Sequence, residues 1–78
     1  MSEEYDDELD ARGLKCPLPI LKTKRQLVGL DAGARLHVMA TDPHSEIDFK
    51  AFCAKTENVL DAYWETGEVF HFVVRKPD

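Results

Sequence analysis

Two cysteines in 78 residues, 37 positions apart, are too few for a disulfide scaffold and fit a reducing compartment. Long apolar runs are missing too. Nothing approaches the roughly 20 residues of a membrane span, and the N-terminal MSEEYDDELD is acidic, the reverse of a signal or transit peptide. A cytoplasmic protein without membrane association is expected. There is no CxxC and no HxxxH, and His37, His44 and His71 lack ligand spacing, so no metal site is expected. No Ser, His and acid arrangement and no Gly-rich phosphate loop stands out, and no cofactor is expected. A chain this short buries only about 60% of its unfolded surface, which leaves room for one domain with a modest core.

The formal net charge of −5 is unevenly spread. Residues 1–10 carry six acids and no base, whereas residues 11–30 carry five bases (Arg12, Lys15, Lys22, Lys24, Arg25) and no acid. The acidic total argues against direct, stable nucleic-acid binding. The basic stretch is either a solvated helix face or a surface for an acidic partner.

Residues 1–7 read as an acidic flexible tail and residues 8–78 as a single domain. A first strand is expected near Glu8–Ala11, with Leu9 and Ala11 inward. Ile20, Thr23, Leu27 and Leu30 then recur at helical spacing, flanked by Leu21 and Val28, until Gly29 and DAGA end the helix. ARLHVMAT alternates, with Leu36, Val38 and Ala40 on one side and Arg35, His37 and Met39 on the other, as in a strand with one buried face. TDPHSEID carries a helix start, capped either by Asp42 with Pro43 at the first helical position or by Ser45. Phe49, Phe52, Cys53 and Thr56 make the apolar stripe of that second helix. Two alternating runs around Thr66-Gly67 predict a hairpin with Leu60, Ala62, Trp64, Phe70, Phe72 and Val74 toward the core. The order β-α-β-α-β-β predicts a two-layer α/β sandwich, both helices covering one face of a four-stranded sheet.

The chemistry-bearing stretch is CPLP, residues 16–19. With Cys16 as N-cap, Pro17 occupies the first helical position and Pro19 the third, where neither costs an intrahelical bond. The sulfur then faces the positive end of the helix and the free N–H groups of Leu18 and Ile20, with Arg12 and Lys15 nearby. Such settings lower a cysteine thiol from about 8.5 into roughly the 3.5–7.5 range, so Cys16 is expected to be a primed nucleophile. Cys53 lies on an apolar stripe and reads as core, the alternative being a resolving thiol for Cys16. Leu18 projects beside Lys22 and Arg25, away from the core stripe. It is either an ordinary exposed leucine or a docking contact.

LDARGLKCPLP resembles the signature of the TusA-like (SirA- and YedF-type) family of small sulfur carriers, and the likeness continues through ATDPHSEIDFKAFC and HFVVRK. The resemblance implies a mixed sheet of order 1-2-4-3 with the fourth strand antiparallel to the rest. It implies that Cys16 carries sulfane sulfur as a persulfide, that Pro17 and Pro19 shape the helix start, and that Gly13 makes the turn before it. Arg12 and Lys15 fall at charge-supporting positions. The implied partners are a cysteine desulfurase or other sulfur donor and a downstream acceptor protein, with tRNA 2-thiouridine as one destination. A transpersulfidating carrier is implied rather than a stand-alone turnover enzyme. A non-catalytic interaction module and a thiol redox protein using Cys16 and Cys53 are the competing classes. The long acidic head departs from the family pattern, as does DFKAFC, where relatives often carry Pro or Gly near Lys50-Ala51.

Overall fold

The protein is described by a computed structural model over residues 5–78. The alternating and helical runs become β1 (Asp7–Ala11), α1 (Leu18–Val28), β2 (Arg35–Ala40), α2 (Ser45–Lys55), β3 (Val59–Thr66) and β4 (Val69–Arg75). Part of the expected acidic tail, residues 1–4, lies outside the described residues. Its remainder is tied in: Asp6 exchanges backbone and side-chain hydrogen bonds with Arg35, and Asp7 opens β1.

The sheet order is β1-β2-β4-β3, with β1 parallel to β2 and β4 antiparallel to both of its neighbours. One sheet face supplies Ala11, Leu36, Val38, Ala40, Phe72 and Val74, and the helices close on it with Leu27, Phe49 and Phe52. Phe49 and Phe72 stack at 4.2 Å with 12° between their planes. This is the two-layer sandwich expected from the element order. Along α1 the buried positions are Pro19, Thr23 and Leu27, and Thr23 satisfies its hydroxyl on the Pro19 carbonyl at 2.8 Å. Leu21 and Val28, the flanks of the predicted stripe, are 50% and 80% exposed.

Two expectations fail in the last hairpin. Ala62 and Trp64 do not face the helices. A register shift between Leu60 and Ala62 pairs Leu60 with Val74 but Ala62 with Val73, so Tyr63 takes the core-facing position opposite Phe72. One extra residue inverts every later side chain in a strand of period two. The intervening Asp61 accepts from Arg35 at 3.1 Å and from Arg75 at 3.0 Å, bracing the bulge.

The second correction follows from the first. Trp64, now on the far face, stacks on His71 at 4.8 Å and on His37 at 5.3 Å, while Tyr5 leans on His37 at 4.7 Å. His37 is consequently only 6% exposed and Val73 fully buried, so β2 has no wet face at its centre. A chain of hydrogen-bonded side chains connects β3 to β1: Thr66 Oγ1 lies 2.7 Å from His71 Nε2, His71 Nδ1 2.9 Å from His37 Nε2, and His37 Nδ1 3.4 Å from Glu8 Oε2.

Candidate functional site

Strands β1 and β2 end together, Ala11 opposite Ala40, so the loops that follow them leave the same edge of the sheet. Gly13 turns the first loop with φ +82°, a conformation that favours glycine. Its N–H donates to Thr41 Oγ1 at 2.9 Å. Asp42 completes the link: Oδ2 accepts the Cys16 N–H at 2.6 Å and Oδ1 the His44 N–H at 2.9 Å. Those two bonds hold the Asp42 carboxyl below the ordinary carboxylate range. The second helix starts at Ser45 with neither Asp42 nor Ser45 as its cap. His44 takes that position, with no side-chain capping bond of its own.

Cys16 is a free, exposed thiol. It is not the N-cap. The Leu18 N–H closes a turn on the Lys15 carbonyl at 2.8 Å, enclosing Cys16 and a cis-bonded Pro17. Helix α1 therefore begins at Leu18 with Pro17 as cap and the buried Pro19 at the second helical position. The Leu18 N–H that was expected to face the sulfur is spent on Lys15.

The electrostatic expectation reverses as well. The Cys16 thiol is raised, not lowered. Its hydrogen bond to the Asp48 carboxylate is the largest cause, followed by burial and the negative charges of Asp48 and Asp42. Arg12 turns away from the thiol, binding Asp10 through Nε at 2.9 Å and through its terminal nitrogen at 2.9 Å. Lys15 remains beside Cys16 in a cleft of about 430 Å³, which also includes Gly13, Asp42 and His44. A second cleft of about 360 Å³ runs between the helices past Cys16, Ile20, Lys24, Asp48, Phe52 and Lys55. Cys16 thus stands on the rib between two clefts.

Leu18 is 44% exposed and Lys22 and Arg25 are exposed, with Leu21 adding apolar surface beside them. Cys53 packs against the core, and burial pushes its thiol up to about 11. Both cysteines are free. Among the described residues, no group of three or more His, Cys, Asp or Glu could hold a metal ion. No helix there is long and apolar enough to cross a membrane.

Three residues to which the sequence reading gave no part in the site stand around Cys16: Thr41, Asp42 as a loop tie, and Asp48. Asp42 and Asp48 did carry a signal, two acids at the start of α2. Their relation to Cys16 depends on β1 and β2 being neighbours, which no local pattern encodes.

Residues 7–76 match the family model described as "Sulfurtransferase TusA". The sulfur carrier protein TusA of Allochromatium vinosum is 51% identical over 73 residues, spanning 94% of this chain and 96% of that protein. The crystal structure of a SirA-like protein from Desulfitobacterium hafniense superposes with a TM-score of 0.81 at 21% identity, covering 94% of this chain and all of that one. At that identity the likeness concerns the fold.

Proposed function

The chain belongs to the TusA family of sulfur carriers, and we propose that it accepts sulfane sulfur as a persulfide on Cys16 and relays it to an acceptor protein. The Cys16 thiolate attacks the terminal sulfur of a donor persulfide. The donor's S–S bond breaks as the new one forms, and the donor cysteine leaves as a thiolate that takes up a proton. The outer sulfur of Cys16 is then attacked in the same way by the acceptor. No external oxidant or reductant is consumed.

One observation carries this reading: Cys16 is an exposed thiol on a rib between two clefts, where a second protein's cysteine can reach it. The core-packed Cys53, its thiol raised by burial, is a poor resolving partner, which disfavours a redox pair. A cysteine desulfurase or another persulfide-forming protein fits as donor. The exposed Leu18 and Leu21 beside Lys22 and Arg25 fit a donor or acceptor surface that is apolar with an acidic rim.

Intact-mass measurement after incubation with a cysteine desulfurase and cysteine tests the proposal. The expected result is a gain of one sulfur atom, reversed by reductant and absent in Cys16→Ser. No gain with several donors would refute it and leave a non-catalytic interaction module. Binding to the donor is expected to weaken as salt rises and in the Lys22→Glu/Arg25→Glu variant. Salt-independent affinity would remove the basic helix face from the docking surface.

A further inference from the structure

The cleft between α1 and α2 does not end where Cys16 leaves it. A further cleft of about 380 Å³ shares Lys24, Phe52 and Thr56 with it, so the two form one groove. Cys16 lies at one end, and Val28 and Pro77 lie at the other. The lining combines the partly or wholly buried Ile20, Leu27 and Phe52 with three lysines, one from each wall and one from the chain after β4: Lys24, Lys55 and Lys76. Lys76 donates to the Leu30 carbonyl at 2.7 Å. Lys24 and Lys55 are exposed, and among the described residues neither has an ion-pair partner. The one carboxylate among the described lining residues is Asp48, in the half that Cys16 shares.

We propose that this groove receives an extended segment of the partner protein, with the partner's reacting cysteine at Cys16, apolar side chains next to it, and acidic side chains beyond them. This deepens the carrier reading above and rests on it for the cysteine. At about 100° per residue, Ile20, Lys24 and Leu27 occupy a different side of α1 from Leu18, Lys22 and Arg25. A folded surface docked on the outer side therefore leaves the groove free for a strand of chain. From Ile20 to Val28 the helix rises about 12 Å, which an extended chain spans in about four residues. The order of side chains follows the lining. Ile20 and Phe52 lie in the half with Cys16, the unpaired Lys24 comes one turn after Ile20, and Lys76 belongs to the far half. An acid directly beside the partner's cysteine would meet Asp48, so the acidic residues belong farther along.

Two synthetic peptides test this, each an acetylated cysteine, two leucines and then either three glutamates or three lysines, made in both chain directions. Their cysteine is capped as a mixed disulfide with 2-nitro-5-thiobenzoate. Cys16 attacks the peptide sulfur, a Cys16–peptide S–S bond replaces the capping one, and the coloured thiolate leaves while the thiol proton passes to solvent. Cys16→Ser supplies the background rate. The ratio of acidic to basic peptide cancels any change in the thiol itself. In wild type at low salt this ratio is expected to be about ten in at least one direction, the scale of two exposed ion pairs against two repulsions. Lys24→Glu and Lys55→Glu, both at exposed positions that tolerate substitution, should each lower it about threefold or more. Lys50→Glu adds the same charge to α2 but lines neither half of the groove, and should keep the ratio within about twofold of wild type. A wild-type ratio near one in both directions overturns the proposal. So does a ratio that Lys50→Glu lowers as far as Lys24→Glu does, or one that Lys24→Glu and Lys55→Glu leave unchanged. The peptides carry no sulfane sulfur, so the two readings fail separately. A protein that keeps these ratios but never gains sulfur from a donor retains the groove and loses the carrier reading, whereas one that gains sulfur with a ratio near one loses only the groove.

Discussion

Phe49 sits one residue beyond Asp48 on α2, and its fully buried ring stacks on Phe72 at 4.2 Å. Replacing it by alanine removes a phenyl group from the core between α2 and the sheet. Phe→Ala changes in such settings cost about 3–5 kcal/mol, combining lost transfer energy with the cavity left behind. A domain of this size has a total stability of about 4–12 kcal/mol, so Phe49→Ala is expected to lose a large share of it. Urea unfolding followed by circular dichroism gives the number. With a slope near 1 kcal/mol/M for a small protein, the midpoint should fall by about 3 M or more. Ile47, two positions earlier but 67% exposed, is the control, and Ile47→Ala should stay within about 0.5 kcal/mol of wild type. A double-mutant cycle of Phe49→Leu with Phe72→Leu should return a coupling of about 0.5–1.5 kcal/mol for the stacked pair. A loss below about 1 kcal/mol in Phe49→Ala would refute the view that this stack anchors the helix carrying Asp48.

Three further outcomes are expected. His71 is lowered by burial first, then by His37 and Arg12, so the unfolded chain binds its proton more readily than the native one. Stability should therefore fall as pH drops below about 6.5, and His71→Phe should flatten that slope; equal slopes in both proteins would exclude the histidine chain as its source. Gly13→Ala should cost about 1–2 kcal/mol through its left-handed backbone alone, since a Cβ there meets nothing within 4 Å, and an unchanged thermal midpoint would contradict this. Arg12→Ala should leave the pH profile of Cys16 alkylation unchanged because its guanidinium is engaged by Asp10, whereas a shifted profile would restore Arg12 to the thiol's field.

The sequence by itself determined the element order, the inward faces of β1, β2 and β4, and the Thr23–Leu27 stripe of α1. Each of these is a local periodicity, and a period of 2 or 3.6 is written in consecutive residues. It also singled out Cys16, because a cysteine before two closely spaced prolines is a local anomaly. Only the tertiary structure decided the rest. The Trp64 side chain left the core because a bulge at Asp61 changes the strand's phase, and a bulge depends on the partner strand. His37 and His71 became hydrogen-bonded neighbours because β2 and β4 pair across 34 positions of sequence. Above all, the basic residues nearest Cys16 in sequence do not set the state of its thiol. Parallel pairing of β1 with β2 brings the loop before α2 against the loop before α1, so the charges that reach the sulfur are Asp48 and Asp42. Electrostatic energy depends on distance through space, and the fold alone sets that distance.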